Sequence, residues 1–155
     1  YLAMINDEKN FASYIGGKAK MFTIEQERRW VKQKLEEKAI VFSMIEKKTG
    51  RFIGNIELMH PDDYQGELGI GITAAMQNRG FGSEAVRAFI DYGFRQLHLR
   101  KIVAETIDPV KSVGLMRKLG MSHEKTLHSH TKDLQGNWAD VYWYGICSSN
   151  KEKLL

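Results

Sequence analysis

The residues best suited to chemistry lie at positions 77–83, in the run Gln77-Asn78-Arg79-Gly80-Phe81-Gly82-Ser83, between a strand-like and a helix-like segment. Its two glycines lack side chains, so backbone N–H groups can come close to a ligand. The first turn of the following helix adds unpaired N–H groups and the positive end of the helix dipole. Arg79 offers a planar fork that binds phosphate oxygens in pairs. We call residues 77–83 the cradle and predict that it binds an anion.

The flanking segments must hold the cradle in place. Residues 67–72 (Glu-Leu-Gly-Ile-Gly-Ile) are short and apolar, which indicates a strand, and the apolar residues from Ala85 to Leu97 recur at helical spacing. A P-loop would require Lys and then Ser or Thr after the second glycine, and a dinucleotide-binding loop would require a third glycine. Neither pattern is present. The six-residue motif alone would also fit an ordinary strand–helix turn.

More distant segments predict the remaining elements. Residues 23–26 (Thr-Ile-Glu-Gln) have the form of a capping box for a helix to about Glu37, and residues 1–15 are predicted to form one or two short helices, ended by Gly16-Gly17. Two hairpins are predicted: residues 40–46 with 51–60, and residues 124–131 with 139–147. Residues 101–106 (Lys-Ile-Val-Ala-Glu-Thr) read as a further strand.

The order of motifs resembles one family. The pattern Q-x-x-G-x-G at 77–82 is similar to the pyrophosphate-binding loop of the GNAT N-acetyltransferases. Residues 52–58 (Phe-Ile-Gly-Asn-Ile-Glu-Leu), 112–121 (Ser-Val-Gly-Leu-Met-Arg-Lys-Leu-Gly-Met) and 136–144 (Gly-Asn-Trp-Ala-Asp-Val-Tyr-Trp-Tyr) resemble further motifs of the branch that holds the ribosomal-protein alanine and the spermidine N-acetyltransferases. The resemblance spans Tyr1 to Ile146.

The resemblance implies the fold and the ligand. We expect an α+β GNAT fold with a central mixed, mostly antiparallel sheet flanked by helices, in a single domain over residues 1–155. The family's first strand and helix are expected before Tyr1. Acetyl-CoA is the implied co-substrate, with no metal. Its implied contacts are Gln77, Asn78, Arg79, Gly80, Phe81, Gly82 and Ser83 for the pyrophosphate, Ser112 on the later helix, and backbone N–H groups at Ile70 and Ile72 for the thioester carbonyl.

Glu67 is the predicted general base. Amines are mostly protonated at neutral pH, so a nearby carboxylate must accept a proton before the nitrogen can attack. Strand alternation places Glu67, Gly69 and Gly71 on one face, and the glycines are expected to leave open space for the acceptor. A surface glutamate at a strand end is the plainer alternative.

Two positions depart from the family pattern. Met116 stands where the family has a tyrosine proton donor, and methionine cannot donate a proton. Ser112 and Tyr144 are possible substitutes through water. The stretch from Asp108 to Ser112 is two residues shorter than the family's, without the asparagine that usually binds the pantetheine arm. We expect those two residues to be omitted from the sequence rather than deleted.

Composition limits the other possibilities. The 155 residues suffice for one globular domain, and the net charge of +4 is modest. Cys147 is the only cysteine, so no internal disulfide or cysteine-built metal site is possible, and the two histidines at 128 and 130 lack evident further ligands. No apolar run approaches the ~20 residues of a membrane span. We expect a cytoplasmic monomer or homodimer that binds neither membrane nor nucleic acid.

The sequence thus predicts an acetyl-CoA-dependent N-acetyltransferase whose acceptor is a primary amine on a protein N-terminus or a small molecule. Two alternatives stay open: a catalytically silent CoA-binding regulatory module, and a polyamine acetyltransferase of the spermidine type. A polyamine requires several carboxylates, and the sequence suggests only Glu67, with Glu57 as a possible neighbour.

Overall fold

The computed structural model describes residues 1–7 and 21–150. The elements in chain order are α1 Leu2–Ile5, α2 Ile24–Glu36, β1 Ile40–Ile45, β2 Phe52–Met59, β3 Gln65–Ile72, α3 Phe81–Arg95, β4 Lys101–Thr106, α4 Lys111–Lys118, β5 Ser122–Lys132 and β6 Trp138–Cys147. A short 3₁₀ turn, Ala74–Met76, precedes the cradle. The prediction of helix for residues 1–15 is confirmed at α1, whereas positions 8–15 lie outside the described residues.

The strands form one mixed sheet in the order β1-β2-β3-β4-β6-β5. Only β3 and β4 run parallel; the other neighbouring pairs are antiparallel. Both predicted hairpins are present as β1–β2 and β5–β6. The predicted α+β architecture, a mostly antiparallel sheet flanked by helices, is therefore confirmed.

One face of the sheet, the core face, carries both long C-terminal helices. Alternate residues of β2, β3, β4 and β6 on this face pack against apolar residues of α3 and α4 in a single cluster. Its members with almost no exposed surface are Val86, Ile90, Ile102, Leu119, Tyr144 and Ile146. Burial of this surface fixes α3 and α4, and so fixes the helix start at the cradle.

The other face, which we call the acidic face, carries Asn55, Glu57, Glu67 and Glu105. The first two helices cover part of it. Lys34 of α2 forms an ion pair with Glu57 (Nζ to Oε2, 3.7 Å). The start of α2 is fixed by the predicted capping box: the Thr23 hydroxyl accepts from the Gln26 backbone N–H, and the Gln26 side chain accepts from the Thr23 backbone N–H.

Candidate active site

The strands β3 and β4 pair for only three residues and then separate. Their register runs from Gln65 opposite Lys101 to Glu67 opposite Val103. Beyond this point β3 pairs only with β2, and β4 pairs only with β6. The result is a V-shaped opening in the sheet, which we call the splay. The backbone N–H groups predicted to bind the thioester carbonyl, at Ile70 and Ile72, lie beyond the last β3–β4 pair, since the opening begins directly after Glu67.

The cradle follows β3 and has the backbone that its glycines predict. Asn78 (φ 59°) and Gly80 (φ 87°) both adopt left-handed conformations, which glycine and asparagine tolerate best. Gly80 is the N-cap of α3 and has no side chain to cap the helix, in contrast to Thr23 at α2. The N–H groups in the first turn of α3 therefore lack a side-chain cap and suit an anionic ligand.

Arg79 has a protein partner in this arrangement. Its guanidinium forms an ion pair with Glu46 at the end of β1 (Nη2 to Oε1, 3.2 Å) and lies 5.1 Å from the centre of the Phe81 ring. In this structure Arg79 thus ties the cradle to the β1–β2 hairpin. Phosphate binding by its guanidinium stays a prediction.

Gly82 lets Ile72 of β3 approach the start of α3 closely. A Cβ at this position would lie 3.1 Å from Ile72 Cδ1, and Leu115 of α4 would be in ordinary contact at 3.8 Å. The predicted acetyl-CoA contacts at Ile72 and Gly82 are thus brought together. Ser112 lies one helical turn before Leu115 on α4, and the side chain of Ile70 packs against the core.

The open space expected above the glycines of β3 is not there. A Cβ on Gly69 would meet the side chains of Met59 and Glu57 at 3.0 and 3.2 Å, and one on Gly71 would meet Asn55 and Met4 at 2.9 and 3.1 Å. That expectation was wrong because β2 and α1 fill the volume.

Glu67 is half-buried at the closed end of the splay. Burial raises its pKa, and the negative charges of Glu105 and Glu57 raise it further, against a smaller lowering by His60. A carboxylate with a raised pKa is a better proton acceptor for an ammonium group near neutral pH. The electrostatics suit the predicted role of general base.

Glu105 is the functional candidate that the sequence interpretation missed. It lies on the acidic face of β4, two residues beyond the last β3–β4 pair. Burial raises its pKa, whereas His130 and Lys125 lower it. The signal was available in residues 101–106, where Glu105 alternates with the apolar Ile102 and Ala104. Its closeness to Glu67 depends on the parallel register, which the sequence alone does not give.

The proposed substitutes for the missing tyrosine lie away from the acidic face. Tyr144 is 1% exposed on the core face, edge-on to His123 with ring centres 5.3 Å apart. Met116 is also buried there. Trp143, by contrast, lies on the acidic face opposite Glu105, with the Lys125 ammonium 4.4 Å from its ring centre. Neither Tyr144 nor Met116 therefore lies on the face of the sheet that carries Glu67.

The histidines at 128 and 130 have separate surroundings. His128 contacts Asp140 (Nδ1 to Oδ2, 2.9 Å), whereas the charge of His130 acts on Glu105. Within residues 1–7 and 21–150 there is no group of three or more potential metal ligands. In the same part of the chain no helix is long and apolar enough to cross a membrane.

Two surface cavities lie outside the splay. One, of about 300 Å³, adjoins α2 at Phe22, Glu27 and Trp30. The other, of about 380 Å³, lies between α4 and β5 at Arg117 and His123. Neither cavity is lined by the cradle or by Glu67. The splay and the cradle are the candidate site because of the chemistry of their residues.

Comparison with known proteins identifies the family. A sequence profile for the acetyltransferase (GNAT) domain matches residues 1–122. The chain belongs to the GNAT acetyltransferase family. The N-acetyltransferase YnaD of Bacillus subtilis is 31% identical over 130 residues, which cover 81% of this chain and 75% of that protein. The N-acetyltransferase p20 of Bacillus licheniformis is 33% identical over 72% of this chain and 64% of that protein.

Solved structures show the same fold in this family. Spermidine N-acetyltransferase from Vibrio cholerae, solved with CoA and spermine, has a TM-score of 0.87 at 20% identity, over 97% of this chain and 89% of that one. Ribosomal-protein-alanine N-acetyltransferase from Brucella melitensis has a TM-score of 0.79 at 18% identity, over 94% and 91%. The family and the solved structures thus establish the GNAT fold and acetyltransferase activity. The spermidine and the ribosomal-protein alanine N-acetyltransferases share this fold, so the fold does not distinguish between these two branches.

Proposed function

We propose that this GNAT enzyme transfers the acetyl group of acetyl-CoA to a primary amine by direct attack at the splay. The observation that carries the proposal is the presence of three features along β3 and directly after it: a half-buried carboxylate at Glu67, a break in strand pairing beyond it, and an uncapped helix start at Gly80. They supply the three requirements of the reaction, which are an anion site, free backbone donors and a base.

The cradle and α4 bind the co-substrate. The N–H groups of α3 around Phe81, Gly82 and Ser83 hold the pyrophosphate, since a helix start favours negative charge. Ser112 lines the same side from α4. Backbone N–H groups of β3 near Ile70 and Ile72, which no longer pair with β4, stabilise negative charge that develops on the carbonyl oxygen.

Glu67 accepts the proton. An ammonium acceptor gives one proton to the Glu67 carboxylate, directly or through water, and its freed electron pair forms the new C–N bond. The C–S bond breaks, the sulfur leaves as a thiolate with the bonding pair, and the nitrogen passes its second proton to that thiolate, directly or through water. A thiolate has a pKa near ~8.5, so it needs little help from a protein acid. This fits the presence of Met116 in place of the family's tyrosine.

The acceptor is proposed to be a protein N-terminus or a small amine. The spermidine-type alternative is favoured by one observation, the third carboxylate Glu105, which the sequence interpretation did not include. It is opposed by cations beside two of the three acids: Glu57 is paired with Lys34, and the charge of Lys125 acts on Glu105. The silent regulatory module receives no support from the carboxylates at the splay.

Turnover measured by CoA release tests the proposal. The protein is incubated with acetyl-CoA and a panel that contains an alanine-starting peptide, a lysine derivative, spermidine and simple alkylamines, with mass spectrometry of the acetylated product. We expect release that depends on the amine. Binding of acetyl-CoA without turnover on any amine would instead support the silent module.

A further inference from the structure

A second carboxylate lies at the splay from the opposite strand. Glu67 is at the closed end of the V, where it pairs with Val103. Glu105 is two residues further along β4, on the same acidic face, where β4 no longer pairs with β3. Diagonal neighbours on one face of a sheet lie within reach of long side chains. The two carboxylates therefore border the opening from its two sides.

Glu105 has no partner that explains it as a structural residue. Among the described residues, no cation lies within 4.0 Å of the carboxylate of Glu67 or Glu105, in contrast to Glu46, Glu57 and Glu124. Burial of an unpaired carboxylate costs stability. A half-buried glutamate with a purely structural role would be expected to have a cation within this distance, as Glu46, Glu57 and Glu124 do.

An unused donor next to Glu105 is an independent observation. Trp143 lies directly opposite Glu105 across the β4–β6 pair. Its indole N–H is buried and has no hydrogen-bond partner. Unsatisfied buried donors are uncommon in folded proteins and call for an explanation. The two neighbours do not satisfy each other: the Trp143 donor stays unpaired, and the Glu105 carboxylate accepts no hydrogen bond from it.

We propose that Glu105 is a second acceptor-binding residue of the acetyl transfer, and that it holds the incoming ammonium group together with Glu67. This inference rests on the proposed function. The ammonium group gives one proton to Glu67. Glu105 stays ionised and balances the positive charge that the nitrogen carries while the C–N bond forms. The groups that face the pair are Glu57 and His60 on the side of Glu67, and Lys125 and His130 on the side of Glu105.

The test uses Glu105→Gln with two companions. Asp91→Asn is the matched control, because it removes one negative charge from an exposed α3 pair with Arg95. Glu105→Asp keeps the charge on a shorter side chain. Steady-state kinetics with the best amine of the panel are measured from about pH 6 to 9, and acetyl-CoA affinity is measured by calorimetry.

Glu105→Gln is expected to raise KM for the amine about tenfold or more, since it removes a charged hydrogen-bond partner, and to leave acetyl-CoA affinity unchanged. It should also move the acidic limb of the kcat/KM profile to lower pH, because Glu67 loses a neighbouring negative charge. Glu105→Asp should keep the position of that limb, a distinction that a purely structural role would not produce.

The outcomes separate the two levels of inference. A wild-type protein that releases no CoA with any amine contradicts the proposed function itself. An active wild type in which Glu105→Gln matches Asp91→Asn in amine KM and in pH profile overturns the role of Glu105 alone. Should Glu105→Gln not fold, Glu105→Asn, which also removes the charge, takes its place, and an amine KM and pH profile equal to those of Asp91→Asn would be the overturning result.

Discussion

At the scale of single residues, the proposed site places a carboxylate in surroundings that oppose its ionisation. Glu67 is partly desolvated and lies near Glu105 and Glu57, and each of these factors favours its protonated form. The environment that suits the proposed role of base also makes the ionised side chain costly to the fold. This combination is common at functional sites, where residues are held in surroundings that stability alone would not select.

The kinetic consequence is tested by Glu67→Gln. The amide keeps the shape of the side chain and removes its basicity, so kcat should fall about 10²–10⁴-fold while acetyl-CoA affinity changes little. Stopped-time CoA release and calorimetry provide the two measurements. A loss of less than about threefold across the pH range would remove Glu67 from the mechanism.

The same Glu67→Gln variant, which should lose activity, should gain stability near neutral pH. The pKa of Glu67 is raised in the folded protein, so the folded state binds a proton more tightly than the unfolded chain. Its stabilising contribution is present below the unfolded pKa and is lost as pH rises through the folded pKa. At about pH 7.5 the ionised Glu67 therefore costs stability, and Glu67→Gln should raise the Tm, with no gain at about pH 4.

Thermal unfolding with Asp63→Asn as a control checks this expectation, because Asp63 is exposed in the β2–β3 loop. An equal rise in Tm at both pH values would show that the variant acts through packing rather than through ionisation.

At the scale of elements, the N-terminus of α3 is a binding feature that sequence reasoning could predict. The two glycines and the helical repeat of apolar residues indicate a helix start at the cradle, and the structure begins α3 at Phe81. Short-range patterns of this kind depend on neighbours along the chain. The same is true of the α2 capping box and of both hairpins.

Features that depend on distant contacts were not predictable in this way. Arg79 meets Glu46, which is 33 residues away. Gly71 is covered by Met4 and by Asn55 of the adjacent strand. The role of Glu105 follows from a parallel register of three residue pairs. In each case the contacts of a side chain are set by residues far away in the sequence, and the local sequence pattern therefore cannot predict them.

The cradle is tested by Ser83→Asp. Gly82 is unsuitable, because any side chain there would press on Ile72. An acidic residue in the first turn favours the helix through its dipole but repels the pyrophosphate. Acetyl-CoA affinity should therefore fall about tenfold or more, which is about 1.4 kcal/mol, without loss of Tm. Ser83→Asn, which is neutral and of similar shape, should stay within about threefold. Equal affinity of the two variants would place the pyrophosphate elsewhere.

At the scale of the whole molecule, the sheet separates two chemical environments. The cradle, α3 and α4 lie at the core face, whereas the carboxylates lie on the acidic face, where α1 and α2 cover β2. The splay is the passage between them. A polyanionic co-substrate and a cationic acceptor can thus approach from opposite faces and meet where the strands part, and neither must pass through the other's charged surroundings.

The charge of the acidic face bears on the last prediction, the choice of acceptor. Of the three carboxylates that β2, β3 and β4 present there, Glu57 is paired with Lys34, and Lys125 near Glu105 offsets part of the remaining charge. Among the described residues this balance favours an acceptor with one ammonium group over the three of spermidine. We therefore expect an alanine-starting peptide to be acetylated with a higher kcat/KM than spermidine. The measurement is a direct competition at equal concentrations, with the two products quantified by mass spectrometry and repeated at low and high salt. Preference for spermidine, strengthened at low salt, would contradict the expectation and would mean that further acids act on the acceptor.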